Sequence, residues 1–238
     1  MRGDLTDAPS LEACLDGIET VFLVWTAPAA SAPAAIETLS RHAQRIVLLT
    51  SPHKTAHPFF QQPNPLRKFY EGLEHLIEGS GAKWTFLRPG MFAANAASWW
   101  GPQVRAGNTV RWPYAAAPTA PLHERDLAAV AARTLLDSGH DGAEYVLTGP
   151  ASLSQLEQVE TIGEVIGRPL QYEEISPEAA LREIAAPASV VTMLLDAWAA
   201  AIGQPAYITS KVAEITGQPA RTFRTWATDH AAEFTARA

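Results

Sequence analysis

Three short apolar runs, each too brief for a buried helix, constrain this chain more than any other feature. Glu19–Trp25 (ETVFLVW), Arg45–Thr50 (RIVLLT) and Lys83–Arg88 (KWTFLR) are rich in β-branched and aromatic residues. Continuous runs of this kind read as strands covered on both faces. Helical patterns separate them. Ala34–Ala43 sets Ile36, Leu39 and Ala43 on one side, and Leu66–Glu78 repeats Leu66, Phe69, Leu73, Leu76 and Ile77 at helical spacing. A shorter helix is expected over Pro9–Asp16, stopped by Gly17. Asp126 is expected to cap a helix running to about Leu136, and Tyr145–Thr148 reads as a fourth strand. Alternating strands and helices call for right-handed crossovers and a parallel sheet.

Beyond Pro150 helical patterns dominate, at Leu156–Ile166, Pro177–Ile184, Val190–Ile202, Val212–Thr216 and Ala220–Phe234. The expected organisation is α/β: a doubly wound parallel sheet over 1–150 and a mostly helical lobe over 151–238, packed as one structural unit. A net charge of −7 argues against nucleic acid as a partner. Val21–Trp25 is too short to span a bilayer, and the first ten residues carry charges and no apolar core, so neither a membrane nor a signal peptide is expected. The single cysteine, Cys14, fits a reducing, cytoplasmic setting.

The order of several segments resembles the NmrA-like group, an atypical branch of the short-chain dehydrogenase/reductase superfamily. The segments are Arg2–Asp7 (RGDLTD), Leu15-Asp16-Gly17, the strand ending in Trp25, Ser80–Gly90 (SGAKWTFLRPG), His123–Val130 (HERDLAAV), Tyr145–Pro150 with Leu153-Ser154, and Thr216–Phe223 (TGQPARTF). The resemblance covers essentially the whole chain and implies a Rossmann-like sheet, here incomplete. Members of the family begin with a strand, a glycine-rich turn, a helix and a second strand, whereas this sequence begins about where their third strand ends. No G-x-G-x-x-G is present; Gly79 and Gly81 are followed by Trp84 and lie after a helix, not before one. NADP or NAD is therefore the implied cofactor, and the absent glycine-rich loop counts against it. In the family the strand at Val21–Trp25 pairs with the first strand. Its open edge leaves three expectations: a longer native chain, a homodimer through that edge, or a scaffold repurposed without cofactor.

The resemblance also assigns roles. Asp4 and Leu5 fall beside the adenine, with a simple turn at Asp4 as the competing view. Trp25, Thr26 and Ala27 end a central strand where ribose or nicotinamide would lie, or Trp25 packs in the core. Thr50 and Ser51 end the next strand, and Ser51 would donate to a substrate carbonyl. Tyr70 falls where relatives carry a catalytic histidine or tyrosine, but Glu74 stands where the partner lysine would be and opposes ionisation. Pro89, Gly90 and Met91 pass the nicotinamide end. Phe92, Trp99, Trp100, Trp112 and Tyr114 then form an aromatic group suited to a flat apolar substrate, or to ordinary packing.

Other strings carry less. Tyr207–Lys211 spells Y-x-x-x-K but lies in the C-terminal lobe, and Ser51–Lys54 spells S-x-x-K without companion motifs. His53 and His57 sit in a proline-bracketed loop, so no metal is expected. The leading expectation is an NAD(P)-dependent reductase of a small carbonyl or quinone-like compound, with a small apolar or aromatic molecule as partner. The alternatives are a cofactor-free isomerase or cyclase, or a dinucleotide-sensing regulator.

Overall fold

The apolar runs do pair side by side, in parallel. The computed structural model describes residues 2–64 and 66–235. In chain order the helices are α1 (Ala8–Cys14), α2 (Ala32–His42), α3 (Pro58–Gln61), α4 (Arg67–Glu78), α5 (Asn95–Ala106), α6 (Glu124–Leu136), α7 (Gln155–Val165), α8 (Pro177–Glu183), α9 (Ala188–Ala201), α10 (Lys211–Thr216) and α11 (Phe223–Asp229). The strands are β1 (Thr20–Val24), β2 (Arg45–Leu49), β3 (Lys83–Pro89), β4 (Thr109–Trp112), β5 (Pro118–Thr119), β6 (Ala143–Leu147), β7 (Leu153–Ser154) and β8 (Gln171–Glu174). No described helix is long and apolar enough to cross a membrane.

Two compact units interleave along the chain. One comprises 1–52, 65–89 and 128–146; the other comprises 53–64, 90–127 and 147–238.

The first unit is built on a four-stranded sheet in the order β1-β2-β3-β6. β1 runs parallel to β2, with Leu23 opposite Leu48, and β2 runs parallel to β3, with Leu48 opposite Phe86. Because side chains alternate along a strand, these residues share one face with Ile46. That face packs with Leu11 of α1, Ile36 and Leu39 of α2, and Leu73 and Ile77 of α4 to make the core. β1 departs from the expected burial on both faces. It is the edge strand, and Phe22 (37% exposed) and Val24 (43%), on the opposite face, remain exposed.

The second unit has a separate core of Trp100, Val104, Val110, Trp112, Val159, Ile162, Trp198 and Trp226 among others. The aromatic segment after β3 contains α5, with Pro102 inside it. β4 pairs with β8 in parallel and β5 with β7 antiparallel. These two-stranded ladders are too short to show a period in sequence. α7 opens on a capping box, with Ser154 and Glu157 satisfying each other's backbone N–H. Asp126 is not the cap of α6, which starts at Glu124. Its buried carboxylate instead accepts from the Arg221 backbone N–H at 2.7 Å and pairs with the Arg221 guanidinium.

Candidate active site

In the first unit the parallel register brings Val24, Leu49 and Leu87 level, so the residues that follow share one edge of the sheet. Ligands of open α/β sheets bind outside such carboxyl ends. Arg88 organises this edge. Its guanidinium donates to both oxygens of Glu74 at 2.8 Å, to Glu144 Oε2 at 2.8 Å and to the Ser51 carbonyl at 2.8 Å. The Thr50 hydroxyl donates to Glu74 Oε1 at 2.6 Å, and the Thr50 N–H donates to Leu87 O at 2.9 Å. Thr50 is thus buried, with its hydroxyl turned to Glu74, and Ser51 follows half-buried with its backbone held by Arg88.

Trp25 is half-buried, its ring 6.3 Å from Phe69 and its N–H donating to Ala27 O at 2.6 Å. Thr26 between them is exposed. The Asp4 carboxylate accepts from the N–H and hydroxyl of Thr6, both at 2.8 Å. These bonds, the backbone one foremost, hold it below the usual carboxylate range. Leu5 packs against the first core. Tyr70 lies on α4 with its ring 5.4 Å from Phe69. Burial pushes its hydroxyl above the ordinary tyrosine value. The sequence placed that effect in the charge of Glu74. That charge is instead balanced by Arg88, because the carboxylate turns towards the sheet.

In the second unit Gly90 and Met91 open a narrow cleft with His57, Phe59, Phe60, Thr119, Thr148 and Tyr207. About 10 Å³ is accessible within it, the room of roughly one water. Backbone bonds fix its wall: Gly90 N–H to Leu147 O at 2.9 Å, and Leu122 N–H to Met91 O at 2.8 Å. His57 joins two of its sides. Its Nδ1 accepts from the Phe59 N–H at 3.3 Å, which leaves Nε2–H to donate to Pro205 O at 3.0 Å. Tyr207 lies edge-on to Phe60, with centroids 6.5 Å apart.

The predicted aromatic group does not enter this cleft. Trp100 (1% exposed) and Trp112 (2%) belong to the second core. Trp99 stacks on Trp112, and both border a different recess. Phe92 bridges to Leu122, and Tyr114 packs on the core at φ 53°.

No family model matches the chain. It is 34% identical over 242 residues to the (4-alkanoyl-5-oxo-2,5-dihydrofuran-3-yl)methyl phosphate reductase of Streptomyces griseus, which spans 98% of this chain and 83% of that protein. It is 30% identical over 240 residues to the NAD(P)H azoreductase of Xenophilus azovorans, over 98% and 82%. The chain belongs to the NmrA-like, atypical short-chain dehydrogenase/reductase family. Two solved structures share its fold. One is the Citrobacter sp. triphenylmethane reductase complexed with NADP(H), with a TM-score of 0.79, 14% identity and coverage of 96% and 82%. The other is the Escherichia coli NADPH-dependent quinone oxidoreductase complexed with NADPH, with a TM-score of 0.78, 22% identity and the same coverage.

For an NmrA-like chain, the cleft residues His57, Phe59, Phe60, Thr119, Thr148 and Tyr207 are those the sequence reading missed. They come from four separate segments with no common period. The density of Phe59 and Phe60 beside His57 in a proline-rich loop was the only local signal. Arg88 was visible as the last residue of a buried run, where a charge requires a partner.

Proposed function

We propose that this NmrA-like protein is an NAD(P)H-dependent reductase of small, flat, uncharged carbonyl or quinone-like compounds. The observation that carries the reading is the aromatic cleft opening at Gly90-Met91, directly after β3, in a chain whose two quoted relatives are named reductases. Within the first unit, the strand-end backbone at Trp25-Thr26-Ala27 and Thr50-Ser51, followed by Pro89, would hold the cofactor. When bound, the nicotinamide supplies a hydride. Ser51 would be the donor to a substrate oxygen as negative charge grows there, its backbone carbonyl held by Arg88.

The cleft has room for roughly one water, so a flat substrate has to part its walls on entry. Gly90 and Met91 present backbone beside the cleft, and Thr119 and Thr148 add hydroxyls to its wall. Charge defines the substrate. The residues lining the cleft include no lysine or arginine, and the His57 ring nitrogens are engaged by the Phe59 N–H and the Pro205 carbonyl. A phosphate would enter without a counter-charge. Neutral quinones are therefore expected to be reduced with a kcat/KM at least about tenfold above that of phosphate-bearing furanones.

Calorimetric titration with NADPH and NADH, followed by NADPH oxidation with menadione, tests the reading. Micromolar cofactor binding with quinone turnover supports it. No binding at millimolar cofactor would overturn it.

A further inference from the structure

Along the middle of α5 runs a second recess, about 350 Å³ in volume, that shares no lining residue with the aromatic cleft. Its volume lies in the range of small-molecule sites. We propose that this recess binds a flat aromatic cation, independently of the reductase site.

The first argument is the aromatic surface. Trp99 is half-buried and stacks on Trp112 with centroids 5.6 Å apart and planes at 26°. Trp198 meets Trp99 edge-on at 5.5 Å. The Trp112 ring is held in one orientation: its N–H donates to Gln155 Oε1 at 2.7 Å, and the Gln155 amide donates to Pro113 O and Tyr114 O, both at 3.1 Å. Gln155 is itself 2% exposed. The turn it grips contains Tyr114, the one non-glycine residue with positive φ among those described. Backbone strain of this kind persists only where surrounding structure over-determines it, and it clusters at ligand sites.

The second argument is charge. The charged residues lining the recess are Arg111 and Glu183, and Glu173 stands beside them on the Arg111 guanidinium. Two carboxylates thus meet one cation, a net of −1. Arg111 is clamped by Glu173 and by Glu183, the latter at 3.2 Å, so its own charge is more than balanced. The negative field reaches further: after burial, Asp196 and Glu178 help hold the Tyr114 hydroxyl above its ordinary value.

The third argument is what the recess does not offer. Gln103 accepts from the Arg111 N–H at 2.8 Å and donates to the Arg111 carbonyl at 3.3 Å, and Trp112 N–H is engaged by Gln155. The Gln103 amide and the Trp112 N–H are thus taken, and the half-buried Trp99 ring, the Ser98 hydroxyl and the Glu183 carboxylate remain on the lining. A cation is attracted electrostatically to an indole face, which selects a delocalised aromatic cation over a neutral or anionic ring.

The experiment is calorimetric titration of the intact protein with 9-aminoacridine as the cation and 1-anilinonaphthalene-8-sulfonate as the anion. The cation is expected to bind at least about tenfold more tightly. Glu173→Gln, at an exposed position, is expected to weaken the cation several-fold, and Trp99→Ala by about tenfold. Tyr207→Ala, in the other cleft, is expected to leave cation binding unchanged. Equal affinity for the two probes overturns the proposal. So does an unchanged cation affinity in both the Glu173 and Trp99 variants, or loss of binding in the Tyr207 variant. Because Tyr207 reports only on the cleft, failure here leaves the reductase reading standing.

Discussion

Glu74 and Arg88 meet in a parallel, two-point ion pair, Nη1 to Oε1 and Nη2 to Oε2, each at 2.8 Å and both side chains almost fully buried. One comes from α4 and the other from β3, so the pair ties helix to sheet at the edge where Ser51 emerges. Buried pairs rarely add stability over well-packed apolar residues, but removing one partner is costly. Glu74→Gln and Arg88→Met are therefore each expected to lower unfolding free energy by about 3–5 kcal/mol. Thr50→Val should cost about 1–2 kcal/mol, because it removes one donor to Glu74. The double replacement of Glu74 and Arg88 by apolar residues should not recover the loss, since Ser51 O and the Thr50 hydroxyl would be left without their donor and acceptor. Urea denaturation with fluorescence detection measures all four.

Ser51 and Tyr70 separate as candidates for the chemistry. Ser51 follows a strand end and is fixed by Arg88, so Ser51→Ala is expected to lower kcat by about 10²-fold with little change in KM. Burial raises the Tyr70 pKa, which makes it a weaker proton donor at neutral pH. Tyr70→Phe is expected to cost less than tenfold in kcat. Steady-state quinone reduction distinguishes them, and the reverse ranking would reassign the donor.

Gly149 is required by close approach. A Cβ there would stand 2.1 Å from Pro121 O, and the Gly149 N–H donates to Ala120 O at 3.1 Å. Ala120 and Thr148 both line the cleft. Gly149→Ala must push these two backbones apart. We expect a loss of about 1–3 kcal/mol in stability together with a raised quinone KM, while Gly107→Ala, where a Cβ meets open space, changes neither.

His230 gives the second unit a pH dependence. It bonds Glu124 through Nε2 and Glu233 through Nδ1, both at 2.6 Å, and stacks on Trp226 at 4.7 Å. Burial alone would lower its pKa, but the bonds to Glu233 and Glu124 and their charges outweigh it and hold it above the ordinary 6.5. Glu124 is held below 4.5: burial acts to raise it, and bonds to its own backbone N–H and to His230, with the charges of His123 and His230, prevail. For His230 the folded pKa is raised, so its stabilisation is complete below about pH 6.5 and fades as pH climbs through the folded value. For Glu124 the folded pKa is lowered, so its share is present above about pH 4.5 and lost on acidification. His230→Gln is thus expected to be less stable than wild type by about 1 kcal/mol near pH 5.5 and nearly equal to it in the alkaline range. Paired thermal melts across pH check this, and a difference that grows with pH would contradict it.

The sequence by itself determined the parallel strands, the helices over them and the family. Those follow from local facts: short β-branched runs such as Ile46–Leu49, helical spacing such as Phe69–Leu73–Leu76, and ordered motifs such as Leu87-Arg88-Pro89-Gly90. It did not determine which polar groups meet. Glu74 reads in sequence as the wrong partner for Tyr70, four residues before it on the same helix. In the fold it belongs to Arg88, because burial of α4 against the sheet leaves no water to solvate either charge and each must find the other. The aromatic residues divide for a similar reason. Trp99, Trp100 and Trp112 are close in sequence to Met91, and suggested one pocket. Tertiary packing directs Trp100 and Trp112 into a core, turns Trp99 to a separate recess, and builds the cleft at Met91 from loops that no periodicity connects. Strands and helices are set by neighbours along the chain; a site is set by which buried groups have to satisfy one another, and only the tertiary structure decides that.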